Sequence, residues 1–379
     1  MSDSPRILIF TDWFTPGFKA GGPIRSIYNL VQLLGPQAWV VTGDRDLGDD
    51  MPYDGIQLNQ WTIFDNGAHV MYCSPDNAGK QKIRLICEEF VHDTWYMNSM
   101  FSLRFTIEPL WWNKNWKASN KLILAPRGML HPEALKIKSF KKNLFLRTMR
   151  FLHFFDRVLW HATGEDERSF IRQHFGLLAK VHVLENVPTL HPFRSDAPSL
   201  DEIRVVMISR LSEEKGVLEG LQSWFGMDEL KNVRLHIIGP KGDENYAKKV
   251  VDLIQEHKGW QVSYLDAMSP ARCVDELNQS HFLFSPTRGE NYGHAIAEAL
   301  LMGVPVIVTN TTPWKGLEEK GWGWDYESSS GEFSSVMKKV IALSELDYLR
   351  IVDQLKLNRA EEEAKWRGDL LQSYLFEKH

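Results

Sequence analysis

Cysteine is scarce in this chain: Cys73, Cys87 and Cys273 are the only three in 379 residues, and no two form a Cys-x-x-Cys pair. That spacing excludes a zinc ribbon or a dithiol redox motif, and an odd number of distant cysteines does not build a disulfide framework. They read as free core thiols of a reducing compartment. No run of about 18 apolar residues occurs, which argues against a membrane-spanning helix. The opening Met1-Ser2-Asp3-Ser4-Pro5 lacks the charged and apolar parts of a signal peptide. The expected location is therefore cytoplasmic, in solution or peripheral on the inner face of the membrane. An excess of one charge is missing too. With 44 Lys and Arg against 49 Asp and Glu, the net charge is -5. Nothing global draws such a chain to nucleic acid, so any basic surface must be local.

What is present is enough apolar residue, 43%, for the cores of two domains. Arg6 to Phe10 is a short apolar run that leads through Gly17, Gly21 and Gly22 into a helical pattern. There Ile24, Ile27, Tyr28, Val31 and Leu34 share one face and Pro23 fits the first turn. Strands are expected at Val40 to Thr42, His69 to Tyr72, Leu122 to Leu124 and Val158 to His161. Pro188, Pro192 and Pro198 among mostly polar residues predict a linker from Val187 to Ser199. Beyond it Val205 to Ile208, Leu235 to Ile238, Val262 to Leu265, Phe282 to Phe284 and Val304 to Val308 alternate with helical patterns such as Pro270 to Asn278. That alternation predicts a second parallel sheet.

The richest stretch runs from Ser285 to Glu298. Glu290 and Glu298, with seven residues between them, stand around the start of a helix, with Gly293 allowing the turn and Gly303 ending the helical pattern. The amides of Tyr292 to Ala295 would face a crevice at the carboxyl end of a strand. A helical step of eight residues spans about 12 Å, comparable to the distance between the two sugars of a nucleotide sugar. Each carboxylate could then take hydrogen bonds from one of them.

At this point the chain resembles the family 4 retaining glycosyltransferases of the GT-B fold. Besides the paired glutamates, the likeness rests on Ala20-Gly21-Gly22-Pro23, Pro126-Arg127-Gly128-Met129-Leu130, Ser209-Arg210 with Lys215-Gly216, Ala299 to Ile307, and Thr312-Pro313-Trp314. These occur in the expected order, as in members that build bacterial surface polysaccharides. The resemblance implies an α/β fold of two Rossmann-like domains, at 1–190 for the acceptor and 199–379 for the donor. Their parallel sheets would face a central cleft, and the last helix, from Leu346 through Tyr374, would cross back to the first domain. It also implies a nucleoside diphosphate sugar of the UDP or GDP type as substrate and no cofactor or metal. The acceptor would be a carbohydrate, lipid-linked in one version of the reading.

By the same resemblance Arg210 and Lys215 match the pair that neutralises the leaving diphosphate, Glu298 the ribose ligand, and Glu290 the contact to the transferred sugar. Asn291, Tyr292, Gly293 and His294 would offer backbone amides to the donor. Gly21 and Gly22 would let the backbone approach a phosphate or the acceptor, with Arg25 as a further phosphate contact. Arg127 stands where many relatives have histidine. Arginine is no general base at neutral pH, which leaves Arg127 the stabilisation of phosphate charge and His131 an approach to the acceptor. Asp44-Arg45-Asp46 imitates a metal motif of another glycosyltransferase fold but reads as loop structure. Trp95, Trp111, Trp112 and Trp116 are expected chiefly in the core, with stacking on sugars as the alternative.

One region is strongly basic. Lys136, Lys138, Lys141, Lys142, Arg147, Arg150 and Arg157 lie among Phe140, Leu144, Phe145, Leu146, Phe151, Leu152, Phe154 and Phe155, with Asp156 the one acid. Such a mixture suits an anionic membrane surface, or equally an ordinary helix with one solvated face. Two rivals to a transferase stay open here: a noncatalytic nucleotide-sugar-binding or scaffold protein, and a phosphorylase or epimerase of the same fold.

Overall fold

The computed structural model describes residues 6–136, 139–328, 330–366 and Leu375. Lys138, the opening Met1 to Pro5, and the part of the expected last helix from 367 to 374 lie outside the described residues. The chain forms two compact units that divide between Val187 and Pro188.

The first unit holds β1 (Ile7–Thr11), β2 (Ala38–Gly43), β3 (Trp61–Ile63), β4 (His69–Cys73), β5 (Thr94–Met97), β6 (Lys121–Leu124), β7 (Leu159–Ala162) and β8 (Val181–Val183). They lie in the order β3-β4-β2-β1-β5-β6-β7-β8, and β3 alone runs antiparallel to its neighbour. All five residues of β1 are buried, as expected of a central parallel strand covered on both faces. One face carries Leu8, Phe10, Trp95 and Met97, the other Ile7, Ile9, Ile27 and Val31. Leu375 belongs to this second cluster, and its carbonyl accepts from the Thr94 hydroxyl at 3.2 Å.

The second unit is an all-parallel sheet of β9 (Arg204–Ile208), β10 (Arg234–Ile238), β11 (Val262–Tyr264), β12 (Phe282–Ser285), β13 (Val306–Thr309) and β14 (Gly323–Tyr326), ordered β11-β10-β9-β12-β13-β14. The two units differ from the sequence-based expectation in two respects. Strands β3, β5, β8 and β14 were not foreseen. The segment after Pro188 is not a free linker: Phe193 packs where Gly303 has no side chain, and buried Arg194 donates to the Tyr348 hydroxyl and the Ser280 carbonyl, both at 3.2 Å. The closing helix is described over Glu345–Trp366.

In both sheets the strand order reverses at one place. From β1 the chain fills β2 and the edge beyond it, then crosses to β5 and builds outward the other way. The second sheet reverses likewise between β9 and β12. Open α/β sheets bind ligands outside the carboxyl ends of strands at such points. Each unit therefore offers one such place.

Candidate active site

At the second sheet's reversal, β9 leads into Arg210 and a single turn, Glu213–Lys215, before the helix Val217–Phe225. Gly216 makes that turn at φ 62°. Beside it β12 runs into the loop Pro286 to Gly293, so Lys215 and Glu290 meet across 75 positions of sequence. Lys215 Nζ donates to Glu290 Oε2 at 2.6 Å, and the two side chains are 16% and 20% exposed. They are screened but reachable. Burial alone would pull the Lys215 ammonium down, yet the charges of Glu290 and Glu214 outweigh burial and hold it above its ordinary range, while Arg210 pulls the other way. Arg210 is half-buried, and its guanidinium has no carboxylate within ion-pair distance among the described residues. One cation is thus neutralised and its neighbour is not.

The glutamate loop is held by residues that sequence reasoning missed. Buried Thr287 bonds the Glu214 and Gly289 carbonyls at 3.0 and 2.9 Å, while its own carbonyl accepts from Thr309 and Thr311 at 2.5 and 2.6 Å. The Arg288 amide also donates to Glu214 O at 2.9 Å, and its guanidinium pairs with Glu219. Gly220 lies so close to Pro286 that a Cβ would stand 2.6 Å from the ring. A hydroxyl at 287 followed by Thr309 and Thr311 on and after the next strand carries no recognisable pattern, because threonine is ordinary in strands and turns.

Gly293, at φ 81°, caps the helix His294–Leu301. Trp314 Nε1 donates to the Tyr292 carbonyl at 2.6 Å, and the Tyr292 ring meets His294 edge-on at 5.0 Å. His294 and Glu298 are buried one turn apart on that helix, Glu298 to 2% exposure. Lys215, Arg210, Glu290, Asn291, Tyr292, Gly293, His294 and Glu298 therefore all belong to the second unit. Gly21, Gly22, Arg25, Arg127 and His131 belong to the first.

In the first unit Gly21, at φ 68°, precedes the helix Gly22–Leu34, and its carbonyl accepts from the Ile24 and Arg25 amides. The Asp44-Arg45-Asp46 segment is loop structure: Asp46 accepts the Phe18 and Lys19 amides at 2.6 and 3.0 Å, and Arg45 pairs with Asp44. Asp46 thereby fixes the chain that leads to Gly21. Arg127 lies at φ 54°, and each of its three guanidinium nitrogens donates one hydrogen bond. It donates to Asn98 Oδ1 and the Tyr96 hydroxyl, each at 2.7 Å, and to Asn186. The Tyr96 hydroxyl in turn contacts His161 Nδ1 at 2.7 Å, whose Nε2 faces the Leu184 carbonyl at 2.9 Å. Burial and the Arg127 charge push His161 down to about 3, so the ring is neutral. Its Nε2–H donates to Leu184 while Nδ1 accepts from Tyr96. The arginine knits β5, β6, β7 and the segment ending at Val187. His131 meets Phe170 edge-on at 5.4 Å. Trp95 and Trp112 are core residues, while Trp111 is exposed.

This geometry, cations after the first strand and carboxylates after the fourth, lies within a segment that matches a known family. Residues 193–342 match the model of Glycosyl transferases group 1. Among solved structures, HepE of Anabaena with UDP and glucose aligns at a TM-score of 0.73 and 16% identity, over 99% of this chain and 100% of that one. Sucrose-phosphate synthase of Thermosynechococcus elongatus gives 0.74 at 12% identity, over 98% and 99%. WaaG, a glycosyltransferase involved in lipopolysaccharide biosynthesis, gives 0.67 at 12%, over 98% and 100%. No curated protein matched the sequence. At these identities the structures establish the GT-B fold across the chain, and the family match covers most of the unit that holds the Lys215–Glu290 pair.

Proposed function

We propose that the protein is a retaining, family 4-like glycosyltransferase that moves a sugar from a nucleoside diphosphate sugar to a carbohydrate acceptor in the assembly of a surface or exported polysaccharide. The observation that carries this is the Lys215–Glu290 ion pair at the strand-order reversal of the second unit, with Arg210 uncompensated beside it. A diphosphate brings the negative charge that Arg210 lacks, and it competes with Glu290 for Lys215. Glu290 then becomes available to hydroxyls of the transferred sugar, and Glu298, one turn into its helix, is the candidate for the ribose. The tight helix start at His294 adds backbone amides.

In the transfer, the acceptor oxygen bonds to the anomeric carbon on the face from which the diphosphate departs. The carbon–oxygen bond to phosphate breaks, and the departing phosphate oxygen takes the acceptor's proton. Arg210 and Lys215 stabilise the charge that develops on the leaving group, which is usually the largest single source of rate enhancement in such reactions. No metal and no enzymic nucleophile are invoked. Arg127, each of whose guanidinium nitrogens donates within its own unit, shapes the first unit in this scheme, where the acceptor is taken.

Calorimetry with UDP, GDP, ADP and their sugars, with and without magnesium, tests the reading. Binding selective for one base, independent of magnesium, and weakened at least tenfold in Lys215→Ala and in Glu298→Ala is the expected result. Binding of a nucleotide without any turnover on a broad acceptor panel would favour the scaffold reading instead.

The same proposal places the first unit on an anionic lipid surface. Phe140, Leu144 and Phe151 fall on one side of the helix Ser139–Phe151 and are 80%, 55% and 83% exposed. Lys141, Arg147 and Arg150 are on or beside that side. Leu177 and Leu178 are also exposed, just after Phe175, which packs on Phe155 at 5.5 Å. Apolar tips ringed by cations complement acyl chains beneath anionic headgroups, at about 1 kcal/mol for each cation near the surface. Among the described residues no helix is long and apolar enough to cross a membrane. Sedimentation with phosphatidylglycerol vesicles at low salt is expected, with little on phosphatidylcholine and a loss of tenfold or more when Phe140, Phe151 and Leu178 are changed to Ser. Failure of the unaltered protein to sediment would remove the membrane from the scheme.

A further inference from the structure

The first sheet reverses its strand order between β1 and β5, and the residues that follow those two strands converge there. Asp12 comes directly after β1, Asn98 and Ser99 directly after β5. The Asn98 amide donates to the Phe10 carbonyl at 2.9 Å, locking the two strand ends together. Ser102 Oγ donates to Asp12 Oδ1 at 2.6 Å, and Ser99, whose hydroxyl donates to Met129 Sδ at 3.6 Å, lies close enough to favour the charged form of the same carboxyl. Asn98 also donates to the Pro23 carbonyl at 3.2 Å, which brings the start of the helix Gly22–Leu34 to the edge of the group.

Asp12 is half-buried, with no cation within ion-pair distance among the described residues. Burial pushes its carboxyl above the ordinary range, and Ser102 and Ser99 only partly offset that. A carboxylate kept partly from water with only hydroxyls around it is an expensive feature of a fold unless something else donates to it. Capping does not explain it. The Ser102 hydroxyl oxygen already takes the Phe105 amide at 3.1 Å, and its proton is then aimed at Asp12 in addition. The surroundings are hydroxyls and an amide, the groups that recognise polyhydroxylated ligands, and they stand where the second sheet carries Lys215 and Glu290.

We propose that Asp12, flanked by Ser99 and Ser102, is the hydroxyl-reading group of a carbohydrate subsite in the first unit. Its carboxylate accepts a hydrogen bond from a ligand hydroxyl, while Ser102 fixes the orientation of the carboxyl plane and Ser99 stands beside it as a further hydroxyl. That the ligand is the acceptor of sugar transfer rests on the transferase reading above; the subsite itself does not.

Saturation-transfer NMR on the full chain, using methyl glycosides of glucose, galactose, mannose and N-acetylglucosamine as probes, with and without saturating UDP, tests the subsite. At least one glycoside is expected to show transfer. Asp12→Asn keeps the shape and the Ser102 bond but removes the charge, and should weaken that glycoside about tenfold or more, as expected for a hydrogen bond to a charged group. Ser99→Ala should weaken it severalfold, and nucleotide affinity should stay within twofold in both variants. Equal glycoside affinity in wild type and both variants, or no glycoside signal at all, would overturn the proposal. Should glycosides bind through Asp12 while no nucleotide binds, the transferase reading fails and the subsite stands.

Discussion

Lys215→Ala is expected to lower the rate of nucleoside diphosphate release from the donor sugar by a factor of about 10² to 10³, with little change in folding. The factor is that found when one preorganised donor to a developing negative charge is removed. Lys215 is suited to such an effect because Glu290, 2.6 Å from its Nζ, holds it in its charged form, so the diphosphate that displaces Glu290 meets a full positive charge. Removing it withdraws half of the local positive charge and leaves Glu290 facing the diphosphate with nothing between them, so the loss exceeds that of a single hydrogen bond. Stability should suffer less, because the pair is partly exposed and water can solvate Glu290 once the lysine is gone. Lys215→Arg should restore only part of the rate, since a planar fork does not reproduce a compact ammonium at the same place. The measurement is initial-rate kinetics beside a thermal melt. A rate within threefold of wild type in Lys215→Ala would remove Lys215 from the chemistry.

The largest effect on stability is expected from Gly216→Ala. At φ 62° an L side chain is already strained, by roughly 1–2 kcal/mol. In addition its Cβ would clash with the Pro286 carbonyl oxygen, far inside the sum of their van der Waals radii. That carbonyl cannot step aside alone, because Thr287, next to it, is tied to Glu214, Thr309 and Thr311. Strain plus overpacking should destabilise the second unit by about 3–5 kcal/mol. The same displacement would carry Glu290 away from Lys215, so nucleotide affinity should fall with stability. Gly21→Ala is the contrast. Its φ of 68° and ψ of -121° lie outside the left-handed region that Gly216 occupies and are less favourable for an L residue, but a Cβ there meets nothing within 4 Å, so only the backbone strain of about 1–3 kcal/mol remains. A melt in which the two substitutions act alike would show that the Pro286 contact is not what requires glycine at 216.

The unequal legibility of the fold has a physical origin. Strands such as Ile7–Thr11 and Val306–Thr309 are buried on both faces, so they appear in sequence as unbroken apolar runs. Thr94–Met97 is equally central, yet it follows His92 and Asp93 and is built from Trp95 and Tyr96, whose polar atoms are used inside: Trp95 Nε1 donates to the Phe90 carbonyl at 2.8 Å. Val181–Val183 is an edge strand with no fully buried residue, and so carries almost no pattern. The segment after Pro188 reads as a linker because burying Arg194 needs the Tyr348 hydroxyl, which lies 154 positions away.

The candidate site divides in the same manner. Glu290 and Glu298 share one loop and helix, so their relation is a matter of spacing and can be read directly. The contact of Lys215 with Glu290 depends on two neighbouring parallel strands and becomes readable only through resemblance. Asp12 gives no signal, since Ser102 is 90 positions away and a lone aspartate after a strand has no motif. Arg127 stands out only through the resemblance, which leads one to expect a histidine at that place. What it does in its unit is set by Asn98, Tyr96 and Asn186, none of them near it in sequence.

The three cysteines offer a practical opening. All are buried and none is in a disulfide among the described residues, and burial raises the Cys73 and Cys87 thiols far out of the range in which a thiolate forms at neutral pH. The native chain should therefore be nearly silent toward maleimide labels while folded. Single cysteines introduced at exposed positions, one in each unit, could carry a fluorophore pair without first stripping out the natural thiols. The distance between the two units, and any change in it when a nucleotide or a glycoside is added, would then be directly measurable in solution.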